Sequence, residues 1–171
     1  MATSTLRAAE ENDIEAIADV WHRGWRDGHV GHVPDALLPH RHHQSFSSRV
    51  PGRLSGTTVA VSGGRIVGFV TLCGDELEQL YVDAVARGSG AAVALIRHGE
   101  AAIARRFQRA WLAVATGNAR ARRFYAREGW SDAGPFDYAA QVEGGTILVP
   151  CHRYEKQVAA SGLPGGAPCA S

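Results

Sequence analysis

The segment that most restricts the fold runs from Glu76 to Phe107. Glu76–Asp83 (ELEQLYVD) reads as a strand, and Ala91–Phe107 carries Val93, Leu95, Ile96 and Ile103 at helical spacing. Between them lies a turn of small residues, Arg87-Gly88-Ser89-Gly90-Ala91-Ala92. A strand that feeds a helix through such a turn commits this part of the chain to a sheet with helices packed on it. The unpaired N–H groups at the helix start, together with the helix dipole, suit a phosphate or pyrophosphate. Gly88 and Gly90 let the backbone come close to such an anion, and Arg87 adds positive charge at the mouth. The turn is not a P-loop, because no Gly-Lys-Ser/Thr follows. Nor is it a dinucleotide fingerprint, because Val93 stands where Gly or Ala is needed. Taken alone, it reads equally well as an anion cradle or as a plain tight turn.

The flanking sequence supplies the rest of one α/β (α+β) domain. Residues 3–9 read as a first strand. Asn12 and Asp13 cap a helix over about 12–26, whose apolar stripe is Ile14, Ile17, Ala18, Trp21 and Trp25. After a Gly- and Pro-containing loop at 27–34, a second helix is expected over roughly 34–49, ending before Pro51-Gly52. Thr57–Ser62 and Arg65–Cys73 flank Gly63-Gly64, a hairpin signal. Ala110–Ala115 is a short buried strand. Asn118 caps a helix that Gly129 stops near Glu128, and two strands follow near 130–140 and 145–156. The expected architecture is a mixed central sheet of about seven strands with about four helices on both faces. The domain spans 1–157. The tail, 158–171, is rich in Gly, Pro and small residues and reads as disordered.

Composition closes off several alternatives. Among 171 residues, 45% are hydrophobic and 20% charged, a globular balance. The net charge of +1 gives no footprint for nucleic acid or a membrane surface, and neither partner is expected. There is no basic start followed by an apolar run and no stretch near the roughly 18 apolar residues of a span, so a cytoplasmic protein is expected. The three cysteines show no metal-ligand spacing. Six of the eight histidines lie in 22–43 (His22, His29, His32, His40, His42 and His43). No cysteine lies near them and no acidic partner is evident. They read as polar loop or pocket residues, and no metal is expected.

Two further patterns complete the picture. Leu80-Tyr81-Val82 immediately precedes the glycine turn. Downstream, Asn118, Ala121, Phe124-Tyr125 and Gly129-Trp130 stand in order, with seven residues from Asn118 to Tyr125. In these motifs, their order and their separation, the chain resembles the GCN5-related N-acetyltransferase (GNAT) superfamily. It departs from the family at Ala84, where many members carry Pro, a change that affects turn rigidity more than binding.

The resemblance implies a sheet splayed in the middle and acetyl-CoA as the acyl donor. Its pantetheine arm would pair with the backbone of Leu80, Tyr81 and Val82, and its pyrophosphate would rest on the amides of Arg87, Gly88, Ser89, Gly90, Ala91 and Ala92. Asn118 would bind the arm, and Tyr125 would sit near the sulfur as the acid for the departing thiolate. Glu76 and Glu78, two apart on one strand face, are the candidates for the base or for holding the acceptor ammonium. The backbone N–H near Val82 is the implied oxyanion donor. Residues 21–49 would line the acceptor pocket, with Trp25, His29 and His32 as substrate-side candidates. The implied reaction is acetyl transfer to a primary amine of a small molecule or peptide. Transfer of another acyl group and a non-catalytic acyl-CoA-binding module are the alternatives. Family members are often dimers through their late strands, so a homodimer stays open.

Overall fold

The computed structural model describes residues 4–159. The tail expected to be disordered falls almost wholly outside the described residues, as does the first residue of the 3–9 strand. Seven strands form one sheet: β1 (Thr5–Ala8), β2 (Thr57–Ser62), β3 (Arg65–Cys73), β4 (Glu76–Val82), β5 (Arg109–Ala115), β6 (Ser131–Val142) and β7 (Gly145–Gln157). Their order is β1-β2-β3-β4-β5-β7-β6. Only β4 and β5 are parallel; the other neighbours are antiparallel, so the sheet is mixed as expected. The α-helices are α1 (Ile14–His29), α2 (His43–Ser47), α3 (Ala91–Ile103) and α4 (Ala119–Arg127). Among the described residues, no helix is long and apolar enough to cross a membrane.

Each face of the sheet carries its own core. On one face Ile17, Ala18, Trp21 and Trp25 of α1 pack with Phe46 of α2 and with Val59 and Phe69 of the sheet. On the other, Leu95 and Ile96 of α3 meet Val70, Leu77 and Leu112, and the α4 side adds Tyr125, Trp130 and Tyr154. Trp130 is buried with its indole N–H satisfied, donating to Glu100 Oε1 at 2.8 Å. A buried indole needs such a partner.

The expected helix over 34–49 is not one helix. The segment makes a 3-10 turn at Asp35–His40, the five-residue α2, and a second 3-10 turn at Pro51–Gly56. Pro39 lies inside the first piece, where it has no N–H to donate and its ring obstructs a regular turn. Arg41 then leaves helical geometry altogether (φ −121°, ψ 42°). A segment this short cannot hold itself as a helix in water. It is held by burial of Leu37, Phe46 and Val50 against α1 and the sheet.

Candidate active site

The strand edge comes first. β4 and β5 share a single ladder pair, Glu76↔Trp111, supported by Trp111 N–H to Asp75 O at 3.1 Å. Beyond that point they part. On its other side β4 pairs with β3 along its length except at one bulge, and the register tells which backbone groups are spent. Asp83 N–H donates to Val67 O at 2.8 Å while Val82 stands opposite Gly68. Val82 is therefore at a non-hydrogen-bonded site of the β3 ladder, and its N–H and C=O turn toward the gap. Alternation does the same for Leu80. The backbone of Tyr81 is turned to β3 instead, so Tyr81 faces the site with its ring, not its main chain.

A bulge decides which side chains share a face. Thr71 pairs with Gln79 but Leu72 with Leu77, leaving Glu78 as an extra residue on β4. Strict alternation would put Leu80 and Val82 beside Glu76 and Glu78. With the bulge, Leu77, Leu80 and Val82 pack toward α3, while Glu76, Glu78 and Tyr81 face α1 and α2.

Two cavities flank the gap. The outer one, about 480 Å³, runs from Leu80–Val82 past the glycine turn to Asn118 and Tyr125. Gly88 (φ 77°) and Gly90 (φ 88°) both hold left-handed backbone, and Gly90 caps α3. A Cβ on Gly90 would meet no protein atom within 4 Å, so a side chain there costs backbone strain alone. Gly90→Ala is expected to lose about 1–2 kcal/mol in a urea unfolding titration. The first-turn amides of Ala92 and Val93 have no preceding helical carbonyl and open into this cavity. Ser89 serves the turn itself, its Oγ accepting from Ala91 N–H at 3.3 Å. Arg87 does not project freely. It pairs with Asp27 of α1, which Arg120 of α4 also approaches at 3.4 Å, and these ion pairs bridge the cavity rim. Asn118 caps α4 by accepting from Ala121 N–H at 3.1 Å. Its other amide atom, Nδ2, lies against Gly28 on the cavity wall. Burial pushes the Tyr125 phenol well above its usual range, so it stays protonated.

The inner cavity, about 360 Å³, lies under α1 and α2. Both candidate carboxylates line it, in different states. Glu78 is clasped by Arg53, whose Nη2 and Nε donate to it at 2.7, 2.9 and 3.1 Å. Glu76 has no ion pair among the described residues. Burial first, then the neighbouring charges of Glu78 and Asp75, push its carboxyl up to about 7. Trp25 and His29 also line this cavity, stacked with ring centres 5.0 Å apart. His29 Nδ1 lies 3.0 Å from Trp25 O; a carbonyl only accepts, so Nδ1 carries the proton and Nε2 is left as an acceptor. Burial pushes this imidazole down to about 4, which keeps it neutral. His32 is not brought to either cavity. It is exposed and lies over Gly117 at the end of β5.

The two cavities share one wall, made of Tyr81 and His29. An elongated ligand in one and a compact ligand in the other would meet there. The sequence model described as the acetyltransferase (GNAT) family matches residues 14–130, from the start of α1 through Trp130. The chain belongs to the GNAT family.

It is thus an N-acetyltransferase, and solved structures agree with its fold. A GCN5-related N-acetyltransferase from Rhodopseudomonas palustris is 21% identical, with a TM-score of 0.72 over 92% of this chain and 97% of that one. The putative acetyltransferase yncA from Salmonella typhimurium, solved with its cofactor acetyl-CoA, is 16% identical (TM-score 0.69, 97% and 100% covered). The paiA N-acetyltransferase from Thermoplasma acidophilum, solved with coenzyme A, is 15% identical (TM-score 0.64, 91% and 99% covered). At these identities the likeness speaks for the fold. No curated protein matches the chain.

Sequence reasoning missed several residues of this acetyltransferase that border the cavities. Gly24 and Gly28 lie one turn apart on α1, facing Tyr81 and Asn118. A Cβ would come within 2.6 Å of Tyr81 Cδ1 at the first and 2.9 Å of Asn118 Nδ2 at the second. These glycines let α1 lie close over the gap. The available signal was Gly24 inside a helix pattern, costing about 1 kcal/mol against Ala; Gly28 fell in the stretch read as a loop, which α1 instead continues through to His29. Arg41, Arg49 and Arg53 line the inner cavity and were also missed: the first two lie in the segment expected to line the acceptor pocket but were not singled out, and Arg53 lies beyond it.

Proposed function

We propose that this protein transfers the acetyl group of acetyl-CoA to a primary amine of a small molecule or peptide. The observation that carries the reading is the shared wall: Tyr125 lines the outer cavity, Glu76 lines the inner one, and Tyr81 and His29 line both. The outer cavity has what an acyl-CoA needs. Its strand edge offers Leu80 and Val82 as a β-ladder partner for the pantetheine amides. Its left-handed glycines and first-turn amides suit the pyrophosphate.

The chemistry then follows from the protonation states. Glu76, poised near neutrality, removes a proton from the acceptor ammonium through a chain of waters. The amine nitrogen attacks the thioester carbonyl, and a backbone N–H of the β4 edge near Val82 that the pantetheine leaves unpaired donates to the oxyanion. A C–N bond forms, the C–S bond breaks, and the Tyr125 hydroxyl protonates the departing thiolate.

Thermal shift with acetyl-CoA and thiol release over an amine panel test this reading. Saturating acetyl-CoA should raise the Tm; no shift would sink the assignment of the outer cavity. Tyr125→Phe should bind acetyl-CoA as the wild type does, while kcat falls by on the order of 10²-fold. Unchanged turnover would remove Tyr125 as the acid.

A further inference from the structure

The charges of the inner cavity do not balance. Arg53 is matched to Glu78, as described. Arg41 and Arg49 have no carboxylate partner among the described residues. Both send a guanidinium N–H to one carbonyl, Gln141 O, at 3.0 and 3.1 Å; Arg41 adds His40 O at 3.3 Å. Arg41 is only 7% exposed and Arg49 is half-buried. A carbonyl can accept from both but neutralises neither. Two like charges, one buried and one half-buried, on one uncharged oxygen are costly unless an anion joins them. Burial, then Arg49 beside Arg41 and Arg53 beside Arg49, hold both guanidinium groups below their ordinary value, with Glu78 offsetting part of this at Arg49.

Such a pair is a receptor for an anion. Guanidinium groups bind carboxylates through paired N–H donors, and a buried site strengthens each bond. Glu76 lines the same cavity, so a ligand filling it would present an ammonium to one end and an anion to the other. The cavity of about 360 Å³ suits a free small molecule. We propose that Arg41 and Arg49 bind a carboxylate of the acceptor, which makes the acceptor a small amino acid or amino-acid analogue. This rests on the acetyl-transfer reading above and specifies its substrate class.

The experiment uses thiol release from acetyl-CoA with a panel of α- and ω-amino acids, each paired with its carboxamide. For the wild type, acids should exceed their amides in kcat/KM by on the order of 10- to 100-fold, through KM. Arg49→Gln should raise KM for the acid and leave the amide's KM and acetyl-CoA binding unchanged, closing the gap to within about threefold. Arg41→Gln, the more buried site, should do the same wherever it folds. Amides turned over as well as acids, or an Arg49→Gln loss shared equally by both, would overturn the proposal. If no panel member reacts, thermal shift of the CoA-saturated protein with N-acetylated amino acids and their amides decides. Stabilisation by the acids alone supports the site, and equal or absent shifts overturn it. Failure of acetyl-CoA to bind would remove both readings; acetyl-CoA binding with acids and amides treated alike removes only this one.

Discussion

Glu76→Gln should lower kcat/KM by on the order of 10²- to 10⁴-fold while acetyl-CoA still raises the Tm. The substitution keeps shape and removes the one carboxylate lining the inner cavity that, among the described residues, has no ion pair with an arginine. The pH profile carries the sign. With its carboxyl pushed up to about 7, Glu76 is a base only above that value. Wild-type kcat/KM should climb with pH through about 7 and level off, and the variant should lack that limb. Stability should move the other way. A carboxyl harder to ionise when folded than when unfolded favours the folded state at low pH. That advantage is lost as pH rises from its ordinary 4.5 through about 7. Glu76→Gln should therefore be at least as stable as the wild type at pH 8, read by denaturant titration. A variant with wild-type turnover, or one that cannot bind acetyl-CoA, would remove Glu76 as the base.

Phe46→Ala should cost about 3–5 kcal/mol, and on the order of 10 °C in Tm for a chain of this size. Phe46 is fully buried and meets the rings of Trp21, His22 and Trp25 at 5.2, 5.6 and 6.2 Å. It is the anchor of α2, a helix of only five residues. Loosening that anchor frees the segment that carries Arg41 and Arg49. Acceptor KM should therefore rise while acetyl-CoA, bound on the other side of the gap, still stabilises what remains folded. A loss below about 1 kcal/mol would show that the segment is held by something else.

Much of the donor side was legible because its signals are local. The strand, the glycine turn and α3 are consecutive, and Asn118 to Tyr125 lie on one short helix. Local rules give the strand, the turn and the capped helix; the roles assigned to Asn118 and Tyr125 came from the family resemblance. The acceptor side depends on long-range facts. The bulge at Glu78 changes which β4 residues share a face, and no residue type in ELEQLYVD announces it. Counting by twos brings Glu76 and Glu78 together correctly but gives no reason for the Tyr81 ring to join them. The stretch 34–49 read as one helix because Pro34 suits a helix start and Pro51-Gly52 a stop. Pro39 and the packing of Phe46 make it a chain of turns instead. Charge balance was also invisible, since only the folded cavity shows that Arg53 has Glu78 and its two neighbours have no such partner.

The single ladder pair between β4 and β5 has a mechanical meaning. The sheet behaves as two plates pinned at one corner, with Asp75, Glu76 and Trp111 as the pin. Any opening of the plates pivots there, so displacement grows with distance and is largest near Val82, roughly 20 Å along the strand. A long ligand can wedge the free ends apart without moving the hinge. Glu76 sits on the pivot, so the residue whose placement matters most for proton transfer is the one that breathing of the sheet disturbs least.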